Sequence, residues 1–228
     1  MNKEVFLSNT PTLQRIENWI FDLDNTLYSA SIDLFPQIDR KMKGFIAERL
    51  KLTQDEAFRL QKQYFHEFGT TLRGLMLHHQ IEPDEFLDYV HDIDHGALSP
   101  LPRLAEALTA LPGRKLIFTN GSESHAVKVL ERLGLSCQFE GIFDIRAALY
   151  VPKPYPETYQ RLCLRHQLEP KASAFFEDLA KNLKPAAEIG MTTIWVRAHV
   201  EDQLTAEETP FIHHIVDDLT EWLKARSH

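Results

Sequence analysis

Cysteine is scarce in this chain. Two thiols, Cys137 and Cys163, stand among 228 residues and form no CxxC pair. No disulfide framework is expected, and free thiols in a reducing, cytoplasmic setting are. Positive charge is also short. Against 33 Asp and Glu there are 25 Lys and Arg, a formal net charge of −8. Such a chain carries no global field to attract nucleic acid or an anionic membrane, so neither partner is expected. An anionic substrate would have to be met by local cations or a metal. No apolar run approaches the ~20 residues of a membrane span. Met1-Asn2-Lys3-Glu4-Val5-Phe6 lacks the basic stretch and long apolar core of a signal peptide. Repeats and low-complexity tracts are absent. The pairs His78-His79 and His213-His214 are too short for metal-binding tracts and read as packing or surface histidines. Of the chain, 43% is hydrophobic and 25% charged, ordinary values for a globular protein. Its length suits one large domain, or a core with a modest insertion.

What is present falls into a rhythm. Residues 1–16 are polar and read as a loose leader or a short helix. A hydrophobic strand follows over 17–23. From Ser31 to Gly96 apolar residues recur at helical spacing, as in Ile38, Met42, Phe45 and Ile46, or Phe86, Leu87 and Val90. Thr53 with Glu56 reads as a capping box, and Glu82-Pro83-Asp84-Glu85 as a helix start with acids in its first turn. After Pro100 helices and strands alternate. Helices are expected over 102–111, 122–133, 155–166 and 181–189, and strands over 114–119, 142–145, 173–177 and 191–196. A last strand and helix fall within 213–226. This order predicts an α/β fold: a Rossmann-like, doubly wound parallel sheet. Residues 1–28 and 97–228 would form the core. Residues 29–96 would form an inserted all-helical cap over the strand ends.

Chemistry-bearing residues gather where strands end. Asp22 and Asp24 follow Trp19-Ile20-Phe21. Thr119-Asn120-Gly121 follows a second apolar strand. Lys153 opens a helix in Val151-Pro152-Lys153-Pro154, and Glu177-Asp178 follows Phe175-Phe176, with Asn182 one turn on. In open α/β sheets the carboxyl ends of the strands share one crevice, so the four sites can converge. Each alone is weak, since a strand-end acid is often a cap and an Asn-Gly often a turn. Together they fit phosphoryl transfer, which needs a nucleophile, charge neutralisation and a proton for the leaving group. Asp22 is the candidate nucleophile, forming an aspartyl-phosphate, and Asp24 the candidate acid and base. Thr119 and the amides of Asn120 and Gly121 could hold phosphate oxygens. Lys153 supplies a point charge. Mg²⁺, which prefers oxygen ligands, would suit Asp22, Asp178 and the backbone carbonyl of Asp24.

These residues resemble the haloacid dehalogenase-like (HAD) hydrolase superfamily over nearly the whole chain. Asp22-Leu23-Asp24-Asn25-Thr26 is similar to its DxDxT element, and the threonine, Lys-Pro and acidic-pair elements follow in family order. The helical block falls where members with a helical (C1) cap carry theirs. The resemblance implies Mg²⁺-dependent phosphatase chemistry on a Rossmann-like core. A narrower likeness, to pyrimidine 5′-nucleotidases, rests on Tyr64-Phe65-His66-Glu67-Phe68-Gly69-Thr70-Thr71-Leu72-Arg73-Gly74-Leu75 and on Glu177-Asp178-Leu179-Ala180-Lys181-Asn182-Leu183. It implies UMP and CMP as substrates, with Arg73 and Tyr64 as substrate contacts. Two departures stand out. Position 25 is Asn where many members have Gly, although Asn tolerates a left-handed backbone. At the fourth element Leu179 stands where Ser or Thr is common and Asn182 where some members have a second acid, which leaves Asp178 as the direct metal ligand and Glu177 and Asn182 as outer contacts.

Other readings remain open at this level. The ester could be phosphoglycolate or a sugar phosphate. A carbon–halogen hydrolase would not need Asp24, because halide leaves without a proton. A non-catalytic scaffold would not need to retain Asp22, Asp24, Lys153 and Asp178 together. A monomer and a homodimer are equally compatible with the sequence.

Overall fold

A computed structural model describes residues 16–199 and 201–226. Apart from Ile16, the expected leader lies outside the described residues. Six strands form one parallel sheet: β1 (Asn18–Phe21), β2 (Arg114–Phe118), β3 (Gly141–Phe143), β4 (Ser173–Glu177), β5 (Thr192–Val196) and β6 (His214–Val216). Their spatial order is β3-β2-β1-β4-β5-β6. The order reverses between β1 and β4, the topological switch point at which doubly wound sheets bind ligands. Four helices follow β1 directly: α1 (Phe35–Leu50), α2 (Gln54–Phe68), α3 (Thr71–His79) and α4 (Pro83–Val90). The remainder alternate with strands: α5 (Pro102–Ala110), α6 (Glu123–Leu133), α7 (Pro156–His166), α8 (Ala180–Glu188) and α9 (Leu219–Lys224).

The central strands are hydrophobic because both of their faces are covered. β1, β4 and β5 are buried at every position. Alternate residues face opposite layers. Phe21, Ile117 and Phe176 pack with α5, α6 and α9, while Ile20, Phe118 and Phe175 pack with α7 and α8. Phe21 stacks on Phe176 with ring centroids 4.4 Å apart. Each fully buried side chain of this size contributes roughly 1.5–3 kcal/mol.

Helices α1–α4 bury a separate apolar cluster, built on Ile38, Phe45, Ile46, Leu75, Phe86 and Val90. Their ends follow local chemistry. Thr53 and Glu56 form the expected capping box, and Pro83 occupies the first turn of α4. α2 stops at Gly69, whose φ of +80° favours glycine. A Cβ there would also lie 3.0 Å from the carbonyl oxygen of Lys153. The helical insertion therefore docks closely on one of the strand-end loops. Among the described residues no helix is long and apolar enough to cross a membrane.

Candidate active site

The sheet register assembles the site. Phe21 lies opposite Ile117 on β2 and Phe176 on β4, so the three strands end level with one another. The Asp22 N–H donates to Phe176 O at 2.9 Å, extending the ladder by one step and bringing Asp22 beside Glu177. Asn25 takes a φ of 64° and turns the chain away, as asparagine can without a glycine. Thr26 Oγ1 then donates back to Asp22 Oδ2 at 3.2 Å.

Lys153 is the hub. Its Nζ donates to Asp22 Oδ1 at 2.6 Å, Glu177 Oε2 at 2.7 Å and Phe118 O at 2.9 Å, so all three donors are used. It is only 1% exposed. Burial alone would lower its pKa, but the charges of Asp22 and Glu177 outweigh burial and hold it above the ordinary lysine value. The acids experience the reverse. Burial and then the charge of Glu177 raise Asp22, with Lys153 opposing. Burial, Glu177 and Asp22 raise Asp178 well above the usual carboxylate range.

This imbalance suits a cation. Asp22, Glu177 and Asp178 each place an oxygen within 4.8 Å of the others, against a single ammonium. Asn182 Oδ1 lines the same cavity, buried and without a partner. An all-oxygen donor set with excess negative charge fits Mg²⁺ better than a soft metal. Glu177 is already engaged, because its Oε1 accepts the Leu179 N–H at 3.1 Å while Oε2 holds Lys153. Asp22 is bonded too, through Oδ1 to Lys153 and Oδ2 to Thr26, so Asp178 is the acid of the three that has no ion pair with the lysine.

At the second strand end Thr119, Asn120 and Gly121 all line the cavity, and Gly121 N–H donates to Thr119 Oγ1 at 2.9 Å. The Asn120 side chain is not free for substrate. Its Oδ1 accepts the Lys153 N–H at 2.8 Å, and its Nδ2 donates to Lys153 O at 3.3 Å. Asn120 therefore braces the lysine loop against β2. Arg73 and Tyr64, expected as substrate contacts, do not line the cavity. Tyr64 is 6% exposed, packs against Phe68 and His78, and bonds His79 Nε2 at 2.8 Å. A side chain at Gly74 would collide with its ring, so Gly74 and Tyr64 form a packing pair. Arg73 Nη1 reaches Tyr150 O at 3.3 Å, and its guanidinium lies over Tyr155, joining α3 to the lysine loop.

Asp24 lines the cavity and is held by residues to which the sequence reading gave no role. Tyr28 Oη donates to Asp24 Oδ1 at 2.5 Å, and His125 Nε2 lies 2.9 Å from the same oxygen. Burial opposes ionisation of Asp24, but the His125 charge and the hydrogen bonds from His125 and Tyr28 prevail and lower its pKa to about 2. His91 stacks on His125, with ring centroids 4.6 Å apart and planes at 12°. These residues have no shared spacing, and nothing short of the fold relates them. The histidine pairs behave as packing residues: His79 bonds Tyr64, and Thr193 N–H donates to His213 Nδ1 at 2.9 Å.

His91 carries a pH prediction. Burial, then the nearby His125 charge, pushes it from 6.5 down to about 3. The unfolded chain therefore binds a proton here at pH values where the folded chain does not. The stabilising contribution is complete above about pH 6.5 and declines as pH falls toward 3. At pH 5 the loss from this group is on the order of 2 kcal/mol. Urea unfolding of the protein and of His91→Asn at pH 7 and pH 5 checks this. The variant should lose less stability on acidification, and equal losses would refute the assignment.

A cavity of about 260 Å³ extends from Asp22, Asp24 and Lys153 into the helical insertion. Phe35, Met42 and Phe65 give it apolar walls. Its polar patch is Asp39, whose Oδ1 accepts from Lys62 Nζ at 2.6 Å and from Gln61 Nε2 at 2.8 Å.

Comparison with known proteins agrees with this geometry. Residues 16–190 match the model of the haloacid dehalogenase-like hydrolase family. The chain is 30% identical to Phosphate metabolism protein 8 of Saccharomyces cerevisiae over 191 residues, covering 76% of this chain and 59% of that protein. It thus spans well under two thirds of that relative's length. It is 24% identical to the glyceraldehyde 3-phosphate phosphatase of Methanocaldococcus jannaschii over 226 residues, 92% of this chain and 97% of that one. The fold superimposes on the HAD phosphatase of Thermococcus onnurineus with a TM-score of 0.61 at 17% identity, covering 92% of this chain and 98% of the other. With a strand-end nucleophile candidate, a buried lysine and an acidic cluster at the switch point, the chain belongs to the haloacid dehalogenase-like hydrolases.

Proposed function

We propose that this hydrolase is a phosphomonoesterase acting through an aspartyl-phosphate, with pyrimidine nucleoside 5′-monophosphates as its preferred substrates. The observation that carries the reaction type is Asp24, a second carboxylate on the cavity wall, tied down by Tyr28 and His125 two residues from Asp22. Dehalogenation has no use for it.

In the first half-reaction an Asp22 carboxylate oxygen attacks phosphorus, the bond from phosphorus to the ester oxygen breaks, and Asp24 gives that oxygen a proton. In the second half, Asp24 takes a proton from water, whose oxygen attacks the phosphoryl group and returns Asp22 as carboxylate. Asp24 is held ionised in the absence of substrate, which is the form the second half requires. An arriving phosphate dianion opposes that ionisation and favours the acid form for the first half. Lys153 and Thr26 orient Asp22 throughout. Asp22, Asp178 and the Asp24 carbonyl would hold Mg²⁺. When bound, that ion offsets charge on the phosphoryl oxygens and among the carboxylates.

The pyrimidine preference is supported by the cavity. Phe35 and Phe65 supply apolar aromatic wall for a flat ring, and the Asp39–Lys62 pair with Gln61 offers donors and acceptors to its polar edge. A second reading, a three-carbon sugar phosphate, is favoured by the name of the archaeal relative. Phosphate release from UMP, CMP, glyceraldehyde 3-phosphate and phosphoglycolate, with and without Mg²⁺, separates them. UMP and CMP should give the highest kcat/KM, and only with the metal. Equal rates for UMP and the sugar phosphate would remove the nucleotide assignment. Chloride release from a haloacid, with no phosphate release from any ester, would remove the phosphatase one.

A further inference from the structure

The structure assigns His125, clamped between His91 and His95, as the positioning residue that aims Asp24 at the leaving-group oxygen. The assignment rests on the phosphomonoesterase reading and extends it to residues outside the reacting atoms.

The first argument is how Asp24 is held. Both of its hydrogen bonds, from Tyr28 Oη at 2.5 Å and His125 Nε2 at 2.9 Å, fall on Oδ1. Oδ2 has no bond to the protein among the described residues, and Asp24 lines the cavity. One oxygen is an anchor, and the other is left for chemistry. A short side chain tethered through one oxygen has its rotation fixed, and the direction of the other oxygen is fixed with it.

The second argument is how His125 itself is held. It lies on α6 and is 0% exposed. Its other nitrogen, Nδ1, lies 3.4 Å from His95 Nε2. With both nitrogens engaged, the ring cannot flip without breaking a contact. His91 stacks flat on it, and Ser122 Oγ, in hydrogen-bond contact with His91 Nδ1 at 2.8 Å, fixes that ring in turn. Ser122 also caps α6, accepting the His125 N–H at 3.3 Å. One hydroxyl thus registers the helix that carries His125 against the ring that covers it.

The third argument is where the clamp comes from. His91 closes α4, and His95 lies in the segment that returns from the helical insertion toward α5. Asp24 leaves β1 on the other side of the same insertion. The rings therefore tie the proton-transfer group to the far end of the segment that forms the cavity wall. Three buried imidazoles, His91 stacked on His125 and His95 tilted against it at 44°, are costly to keep in a core unless their geometry is used.

A misplacement of about 1 Å at a reacting group costs on the order of 100-fold in rate. The loss should depend on the ester. An alkoxide leaving group, as in UMP, needs the proton from Asp24, while p-nitrophenolate leaves without one. For His125→Ala we expect kcat/KM to fall about 100-fold for UMP and less than about fivefold for p-nitrophenyl phosphate. The split belongs to kcat/KM, which reports the first half-reaction; kcat should fall for both esters where water attack limits turnover, because Asp24 also takes the proton from that water. His125→Gln, which can place an amide near the Nε2 position, should recover most of the UMP activity. Tyr28→Phe keeps the packing, removes the other anchor, and should show the same selectivity for the poor leaving group. That variant serves if the alanine form does not fold. Equal losses of kcat/KM for both esters, or no loss in either folded variant, would overturn the positioning role. A wild-type protein that cleaves neither ester would overturn the phosphatase reading, and this assignment with it.

Discussion

Asp22→Asn should lower kcat by more than about a thousandfold while the protein stays folded. An amide is nearly the same shape as a carboxylate but cannot form the mixed anhydride with phosphorus. Stability should not suffer, because the native carboxylate sits under strain of charge. Glu177 and Asp178 crowd it, its own ionisation is disfavoured by burial, and a single lysine answers all three acids. Removing one acid relieves that excess, and Lys153 retains Glu177 and Phe118 O. Without added metal, the variant should melt no lower than the parent. Turnover measured with UMP and Mg²⁺, beside a melting curve, tests both halves. Parental activity in the variant would end the covalent mechanism.

Lys153→Met should cost about 3–5 kcal/mol of stability together with activity, the range for removing one partner from a buried ion pair. The two substitutions differ because they move the charge balance in opposite directions. Methionine fills the volume but leaves Asp22, Glu177 and Asp178 with no cation, and strands Phe118 O without its donor. The same reasoning predicts a rescue. Millimolar Mg²⁺ should recover part of the lost stability in urea unfolding, because it would occupy the acidic cluster that the lysine no longer offsets. Should stability not respond to Mg²⁺, Asp22 and Asp178 would not form a cation site.

Much of this architecture was legible in the sequence. Central parallel strands are covered on both sides, so Trp19-Ile20-Phe21 and Ser173-Ala174-Phe175-Phe176 appear as unbroken apolar runs, and each ends where a charge appears. Asp22, Thr119 and Glu177-Asp178 were legible as candidates because each follows or closes an apolar strand, whereas Lys153 lies in the loop between β3 and α7 and was legible from the Val151-Pro152-Lys153-Pro154 stretch before that helix. Asn25 and the capping box at Thr53 were equally local, since a left-handed turn and a helix N-terminus each depend on a few neighbouring residues.

Other expectations met contacts that local spacing does not record. Tyr64 and Arg73, expected as substrate contacts, do not line the cavity. Tyr64 needs the bare backbone of Gly74, and Arg73 reaches the lysine loop. Asn120 was expected to offer its backbone amide to phosphate; it lines the cavity, and its side chain is committed to the backbone of Lys153. His91, His95 and His125 carried no signal, because they come from three separate places in the chain and meet only when α4 and its return segment fold down beside α6.

What the sequence determined by itself was therefore the fold class and the candidate reactive residue types, since periodicity and strand-end chemistry are local properties. Only the tertiary structure decided how those groups are governed. It placed Lys153 within bonding distance of both Asp22 and Glu177, left the acids with excess charge, and anchored Asp24 through Tyr28 and His125. Charge balance and orientation depend on distances between residues far apart in the chain, and those distances exist only once the sheet register and the helical insertion are in place.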